Sequence, residues 1–282
     1  MKKNRIKIIG LDLDGTVFND EKEITSRTRK AIAHAIASGI YVLPATGRPK
    51  VGLPEEFLSI PGVRYALICN GASIVDLKKN KTIYHRCLPK ETVLAIAETC
   101  ADVEGTFELY IEGNAVMSKE HMKLADRYIP SPYIRDYVRK TRIVVDDLRD
   151  YLMYCPDDVE KINMSYESAD RKDAVMDLLK DVPGISMACG LATNLEITME
   201  GTDKGTALLE FGRMLGVPRE SILACGDSGN DRMMLRKVGV GVAMANAEDD
   251  IKLEADYVLP YTNSEDGVAW LIEHILDNGM EI

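Results

Sequence analysis

Apolar runs and helix-spaced apolar positions alternate at both ends of this 282-residue chain. Short apolar runs that end in turn-forming residues are typical of buried strands, and apolar residues three or four positions apart are typical of helices. The strands predicted in this way lie at 6–11, 41–45, 66–69, 222–225 and 240–243, and the helices at 26–38, 204–215, 231–237 and 266–276. Strands that alternate with helices predict a parallel sheet covered by helices.

The middle of the chain has a different pattern, with shorter and half-exposed apolar runs. Strands are predicted there at 82–88, 107–111, 161–166, 185–188 and 194–198, and helices around 93–100 and at 171–181. The stretch 119–158 is polar and rich in tyrosine, and its pattern singles out no strand or helix. Because strands follow one another in pairs, this part predicts an antiparallel sheet with helices on one face.

The two patterns together predict one domain inserted into another. We interpret residues 1–84 and 199–282 as a discontinuous α/β core with a mostly parallel sheet, and residues 85–198 as an inserted α+β domain. The length agrees with this division, because roughly 150 residues per domain predicts about two domains.

Charge and composition narrow the classes of partner. The chain carries 45 Asp and Glu against 35 Lys and Arg, a formal net charge of -10, and such a surface repels nucleic-acid phosphates and anionic lipid. The longest run without Asp, Glu, Lys, Arg or His, 182–195, is shorter than the ~20 apolar residues of a membrane-spanning helix. We therefore expect a cytoplasmic protein without nucleic-acid or membrane partners. The spacing of the six cysteines along the sequence is typical neither of a zinc site nor of a disulfide framework.

Acidic residues follow two of the predicted strands of the core. Asp12 and Asp14 come directly after the first strand, and Asp227 and Asp231 follow the strand at 222–225. Ligand sites of α/β sheets lie at the carboxyl ends of the strands, so we expect the four carboxylates to converge. Carboxylates that close repel one another unless a cation such as Mg²⁺, which prefers oxygen ligands, lies between them. The segment 12–16 alone would equally fit a solvated turn.

Two other segments offer groups suited to an anion. Thr46-Gly47-Arg48 ends the strand at 41–45 with a hydroxyl, a backbone N–H and a guanidinium. Lys204 lies in the first turn of a predicted helix, where the helix dipole disfavours a cation by about 0.3–1 kcal/mol. Neutralising an oxyanion or the acidic cluster would explain this placement, and a solvated lysine is the alternative.

These segments form a recognisable set. Asp-Leu-Asp-Gly-Thr at 12–16, Thr-Gly-Arg at 46–48, Lys-Gly at 204–205 and Gly-Asp-Ser-Gly-Asn-Asp at 226–231 resemble, in order and spacing, the four motifs of the haloacid dehalogenase-like superfamily of phosphohydrolases. The segments 243–247 and 263–269 and the insertion at 85–198 are similar to the Cof-type branch and its α+β cap. The resemblance implies a Rossmann-like core with an inserted cap domain.

The resemblance also implies roles for individual residues. Asp12 would be the nucleophile, forming an aspartyl-phosphate, and Asp14 the general acid and base. Mg²⁺ would be held by Asp12, the Asp14 backbone carbonyl and Asp227, with Asp231 behind them. The groups implied to hold the phosphoryl oxygens are Thr46, the backbone N–H groups of Leu13 and Gly47, Asn230 and Lys204. Those implied to face the substrate or to support the loops are Arg48, Asn70, Gly71 and Asn246.

The expected activity is hydrolysis of a small phosphorylated metabolite, either a sugar phosphate or a cofactor-related phosphate, with the inserted domain selecting the leaving group. One alternative is a phosphomutase of the same superfamily, which would return the phosphoryl group from Asp12 to a second hydroxyl. Another is a non-catalytic sugar-phosphate-binding protein that uses the same pocket.

Overall fold

The computed structural model describes residues 6–129, 131–155 and 158–278. The first elements in chain order are β1 (Ile8–Leu11), α1 (Ser26–Ala37), β2 (Tyr41–Pro44), α2 (Glu55–Leu58), β3 (Tyr65–Ile68), β4 (Ser73–Asp76) and β5 (Lys81–His85). The next are α3 (Lys90–Thr99), β6 (Glu108–Ile111), β7 (Asn114–Ser118), α4 (Lys119–Tyr128), α5 (Pro132–Thr141), β8 (Arg142–Val145), α6 (Leu148–Tyr154), β9 (Lys161–Ser165), α7 (Ala169–Leu179), β10 (Ile185–Ala188) and β11 (Asn194–Met199). The last are α8 (Lys204–Leu215), β12 (Ile222–Gly226), α9 (Arg232–Lys237), β13 (Val240–Ala243), α10 (Asp249–Lys252), β14 (Tyr257–Val258) and α11 (Gly267–Asn278).

The chain divides into two units. The first contains the described residues up to Gly47, Leu53–Tyr84 and those from Asp203 onward, and the second contains Arg48–Gly52 and His85–Thr202. The sequence pattern placed the short segments 48–52 and 199–202 with the core, whereas contacts group both with the second unit.

The first unit is built on a five-stranded sheet in the order β14-β13-β12-β1-β2, in which all neighbouring strands are parallel. Alternate residues of β1 enter two apolar clusters: Ile9 and Leu11 pack on the side of α1 and α11, and Ile8 packs on the side of α8 and α9. Both faces are therefore covered by helices, and this confirms the α/β core with a parallel sheet.

The third predicted strand of the core has a different role from the one expected. β3 forms a three-stranded sheet with β4 and β5, pairing antiparallel with β4, and it joins the end of β2 through a parallel bridge between Ala45 and Leu67. β4 was not predicted, because its four residues follow a turn too closely to stand out as a separate apolar run.

The second unit contains a six-stranded sheet in the order β10-β11-β9-β6-β7-β8. Its neighbouring strands are antiparallel except β7 and β8, which are parallel because α4 and α5 cross between them. The stretch without predicted elements, 119–158, contains α4, α5, β8 and α6 in its described part. One face of this sheet is apolar and packs against α3 and α7.

The other face of the second sheet corrects an expectation. Residues 107–111 were predicted as a half-exposed strand, yet the polar residues Glu108 and Tyr110 of β6 are buried. The strand registers place Arg142, Lys161 and Glu196 on the same face as Glu108 and Tyr110, and their side chains are also largely buried. In the described residues, no helix has both the length and the apolar character needed to cross a membrane.

Candidate active site

Asp12 and Asp227 lie at the same edge of the parallel sheet. Asp12 directly follows β1, and its N–H donates to the Cys225 carbonyl over 3.0 Å, which extends the pairing with β12 by one residue. Asp227 directly follows β12. Because β1 and β12 are parallel neighbours, the two carboxylates emerge side by side at their carboxyl ends.

Lys204 connects this edge to the loop behind it. It is the first residue of α8 and is fully buried. Its Nζ donates to Oδ1 of Asp12 over 2.7 Å, to Oδ1 of Asp231 over 2.7 Å and to Oδ1 of Asn230 over 3.2 Å. Three acceptors match the three donors of an ammonium group, so the buried charge is fully hydrogen-bonded. Burial lowers the pKa of Lys204, but Asp12 and Asp231 outweigh this effect and raise that pKa, so the side chain stays protonated.

Asp231 fixes the loop that follows β12. Its Oδ2 accepts the backbone N–H groups of Asp227 over 3.0 Å and Ser228 over 3.2 Å, while its Oδ1 accepts from Lys204. Ser228 and Asp231 also form a reciprocal capping box before α9. Both oxygens of Asp231 are thus occupied by donors, and the residue is arranged to hold the loop and Lys204 in place.

The three buried or half-buried carboxylates are close enough to share a cation. Oxygens of Asp12, Asp227 and Asp231 all lie within 4.8 Å of one another. Burial, followed by the neighbouring carboxylates, raises the pKa of Asp12 and raises the pKa of Asp227 to about 7. Lys204 neutralises only one of these charges, and the remaining repulsion is what a divalent cation would remove.

The turn after β1 packs tightly against Asp227. Thr16 Oγ1 donates to Asp227 Oδ1 over 2.8 Å. Gly15 has a φ of +86°, and a Cβ added there would lie 2.3 Å from Asp227 Oδ2. Asn246 Nδ2 donates to the Gly15 carbonyl over 2.8 Å, and Asn263 N–H donates to Asn246 Oδ1 over 2.9 Å. Asn246 thus connects the turn after β1 to the loop at Asn263.

Asp14 differs from Asp12 in its surroundings. Its side chain is 44% exposed, and its Oδ1 lies 3.4 Å from Lys22 Nζ. Leu13, between the two aspartates, is fully buried and its carbonyl accepts the N–H of Phe18 over 2.9 Å. The turn therefore presents one carboxylate inward and one toward solvent.

The loops after β2 and β3 are joined by their backbones. Thr46 is buried, its N–H donates to the Leu67 carbonyl over 3.0 Å, and its carbonyl accepts the N–H of Asn70 over 3.0 Å. Gly47 is half-buried. Gly71 packs against the backbone of Asp203, where an added Cβ would lie 2.4 Å from the Asp203 carbonyl oxygen.

Arg48 lies close to Tyr137 and Gly52. It belongs to the second unit, where its guanidinium lies 5.0 Å from the centre of the Tyr137 ring and donates to the Gly52 carbonyl over 3.4 Å. The structure thus gathers Asp12, Asp227, Asn230, Asp231 and Lys204 in one cluster, with Thr46, Asn70 and Gly71 on loops of the same unit.

Sequence reasoning missed two residues that support this cluster. Thr16 belongs to the Asp-Leu-Asp-Gly-Thr segment, but a bond to an aspartate 211 positions away leaves no local signal. Ser228 had a local signal, because a serine three residues before an acidic residue is the spacing of a capping box.

The chain is similar to known proteins over most of its length. A profile of haloacid dehalogenase-like hydrolases matches residues 9–272. The chain is 29% identical over 269 residues to the 5-amino-6-(5-phospho-D-ribitylamino)uracil phosphatase YcsE of Bacillus subtilis (strain 168), and the match covers 95% of each protein.

Solved structures show the same likeness. A haloacid dehalogenase-like hydrolase from Bacteroides thetaiotaomicron is similar with a TM-score of 0.78 and 30% identity, covering 96% of this chain and 100% of that chain. The HAD subclass IIB sugar phosphatase BT4131 is similar with a TM-score of 0.80 and 25% identity, covering 95% of this chain and 98% of that chain.

Proposed function

We propose a mechanism and a substrate class on the premise that the chain belongs to the haloacid dehalogenase-like hydrolases and is a phosphoric monoester hydrolase. The proposed reaction is Mg²⁺-dependent, passes through an aspartyl-phosphate on Asp12, and releases phosphate from a small phosphorylated metabolite. The observation that carries it is the buried ammonium of Lys204, which is hydrogen-bonded to both Asp12 and Asp231 beside Asp227.

The residues at this edge of the sheet fit Mg²⁺. Carboxylate oxygens are ligands that Mg²⁺ prefers, and oxygens of Asp12, Asp227 and Asp231 lie within 4.8 Å of one another. Both oxygens of Asp231 already accept hydrogen bonds, so we assign Asp12, Asp227 and the Asp14 backbone carbonyl as ligands and Asp231 as their support. Mg²⁺ there would neutralise the carboxylates and the incoming phosphoryl oxygens.

Asp12 is suited to attack phosphorus. Its backbone N–H is paired to β12, and its Oδ1 accepts a hydrogen bond from Lys204. Because these two contacts fix the carboxylate, one of its oxygens can be aimed at a phosphoryl group. A new bond between Asp12 and phosphorus replaces the bond to the leaving oxygen. Asn230, Thr46 and the N–H groups of Leu13 and Gly47 are proposed to hold the phosphoryl oxygens while their charge redistributes. Lys204, whose three donors already have acceptors, is proposed to stabilise the same oxygens through its charge.

Asp14 is suited to proton transfer. Its side chain reaches solvent and lies two residues from the nucleophile. In the first step it would give its proton to the departing alkoxide, and in the second it would take a proton from the water that attacks the aspartyl-phosphate. The products are the free alcohol, inorganic phosphate and Asp12 in its starting form.

The proposed substrate is a sugar phosphate or a cofactor-related phosphate. Two relatives support this class: YcsE is named for a phosphorylated ribitylaminouracil, and BT4131 is described as a sugar phosphatase. We assign selection among such substrates to the second unit, and Arg48, Asn70 and Gly71 to the substrate side or to loop support.

A screen of phosphorylated metabolites with released phosphate as the readout tests the proposal. Activity is expected with Mg²⁺ and is expected to disappear with EDTA, and Asp12→Asn is expected to be inactive at the same Mg²⁺ concentration. Phosphate release by Asp12→Asn at the wild-type rate would rule out Asp12 as the nucleophile. Steady phosphate release also distinguishes hydrolysis from transfer to a second hydroxyl.

A further inference from the structure

Lys237 forms an ion pair at the start of the helix that carries Lys204. Asp203 caps α8, because its Oδ1 accepts the N–H of Thr206 over 2.8 Å and its Oδ2 accepts the Thr206 hydroxyl over 2.8 Å. Lys237 Nζ donates to Asp203 Oδ2 over 2.6 Å and to Thr206 Oγ1 over 2.8 Å. The three side chains close a hydrogen-bonded triangle on the first turn of α8.

This triangle joins α8 to α9 at a second point. Lys237 is the last residue of α9, and Asp231 directly precedes that helix. Lys204 bonds to Asp231 at one end of α9, and Asp203 bonds to Lys237 at the other. Since Asp203 and Lys204 are consecutive, any displacement of Asp203 also displaces the backbone of Lys204.

The two helices also meet without side chains between them. A Cβ added at Gly205 would lie 2.4 Å from the Met233 carbonyl oxygen and 3.0 Å from the Cβ of Lys237. With the backbones this close, polar contacts at the helix ends fix how α8 is placed along α9. The helix dipoles favour the pair, because Asp203 is at an N-terminus and Lys237 at a C-terminus.

We propose that Lys237 is a positioning residue that acts through Asp203 to hold Lys204 against Asp12 and Asp231. This role rests on the phosphatase function proposed above. The hydrogen bonds of the Lys237 ammonium go to Asp203 and Thr206 and not to the three carboxylates of the candidate metal site, so its contribution is to geometry. The chain uses a partly exposed lysine to set the position of a fully buried one.

Steady-state kinetics of Lys237→Met test the proposal with p-nitrophenyl phosphate and saturating Mg²⁺. We expect kcat to fall about tenfold while KM changes less than twofold, because the reacting groups are misplaced but substrate contacts remain. Lys237→Arg is expected to recover much of kcat, since it restores a cation at the same place. The matched control is Lys252→Met: Lys252 pairs with Asp249 within α10 and is 29% exposed, close to the 31% of Lys237. Its kcat is expected to stay at the wild-type value.

A crystal structure of Lys237→Met supplies a readout that does not depend on activity. We expect Lys204 Nζ to be displaced from the 2.7 Å contacts with Asp12 and Asp231. Unchanged distances, or a folded Lys237→Met with wild-type kcat, would overturn the positioning role and leave the phosphatase proposal intact. A wild-type protein without Mg²⁺-dependent phosphatase activity would instead contradict the proposed function, and the structure of the variant would still decide whether Lys237 positions Lys204.

Discussion

Lys204 Nζ donates to Asp12 Oδ1 over 2.7 Å, although 192 positions separate the two residues in the chain. The contact joins the end of β1 to the start of α8, and both side chains are buried. Separating the pair would leave a buried charge without its partner, which commonly costs about 3–5 kcal/mol. The protein therefore holds a cation beside its proposed nucleophile before any substrate arrives.

Lys204→Ala is expected to lower kcat by about 10²–10³-fold, because the cation proposed to stabilise the phosphoryl oxygens is lost. Phosphate release at saturating Mg²⁺ measures the effect, and circular dichroism in the same buffer verifies that the variant is folded. Lys252→Ala, in α10, is the matched control and is expected to keep wild-type turnover. Wild-type kinetics in Lys204→Ala would show that the lysine serves only to neutralise buried carboxylates.

Gly15→Ala is expected to impair both activity and Mg²⁺ binding. The new Cβ would lie 2.3 Å from Asp227 Oδ2, so the carboxylate or the turn must move. The positive φ of +86° adds about 1–2 kcal/mol of backbone strain for any residue with a Cβ. A Mg²⁺ titration of activity is expected to show a higher half-saturation concentration as well as a lower maximum.

Gly39→Ala separates the two causes of the Gly15 effect. Gly39 has a φ of +84°, and among the described residues no atom lies within 4 Å of the added Cβ. The backbone strain should therefore match that of Gly15→Ala, while the site stays undisturbed. Thermal unfolding is expected to show a loss of stability in both variants, larger in Gly15→Ala because of its contact with Asp227, and only Gly15→Ala should change the Mg²⁺ titration. An equal change in both titrations would contradict the role assigned to the Asp227 contact.

Thr16→Val is expected to raise the Mg²⁺ half-saturation concentration about tenfold. The substitution keeps the shape of the buried side chain but removes the hydroxyl that donates to Asp227 Oδ1 over 2.8 Å, and such supporting bonds commonly contribute 10–100-fold to metal affinity. Isothermal titration with Mg²⁺ measures the change. Thr16→Ser restores the donor and should restore affinity; if it binds Mg²⁺ as weakly as Thr16→Val, the methyl group and not the hydrogen bond is responsible.

The core and its acidic cluster could be predicted from the sequence for local reasons. The strand before Asp12 and the strand before Asp227 are uninterrupted apolar runs that end in turn residues, and parallel neighbours bring such ends together. The position of Lys204 at a helix start predicted either a neutralising or a solvated lysine, and the structure buries it against Asp12 and Asp231. The bond from Thr16 to Asp227 and the placement of Arg48 beside Tyr137 depend on how distant segments meet, which the local pattern does not contain.

The second sheet shows a different limit of the pattern. The alternation of polar and apolar residues along β6 places Leu109 on one face of the sheet and Glu108 and Tyr110 on the other. This alternation shows which side chains share a face, but not whether that face is buried. A polar face normally lies in solvent, and here Arg142 from the unpredicted strand β8 neutralises Glu108 so that both can be buried. The partner lies 34 positions away, in a stretch whose polar composition gave no strand signal.

Glu108→Gln is expected to destabilise the protein at neutral pH by about 3 kcal/mol, because it leaves the buried guanidinium of Arg142 without its carboxylate. Glu108 Oε2 accepts from Arg142 Nε over 2.7 Å, and Oε1 accepts from Arg142 Nη2 over 3.1 Å and from Asn163 Nδ2 over 2.5 Å. Burial raises the pKa of Glu108, but Arg142, Asn163 and Lys161 outweigh it and hold the pKa below its usual value of 4.5.

The sign of this shift predicts how the stability loss depends on pH. A carboxyl whose pKa is lowered by folding stabilises the folded state above its unfolded pKa, about 4.3, and that stabilisation is lost as the pH falls through the folded value. The difference in melting temperature between wild type and Glu108→Gln should therefore be constant from pH 7 to about 5 and shrink below that. Glu104→Gln is the control: Glu104 meets Arg127 over the same 2.7 Å but is 56% exposed, so its loss should cost less than about 1 kcal/mol at every pH. If the Glu108→Gln difference stays constant down to pH 3, the buried carboxyl does not gain its stabilising effect from its charge.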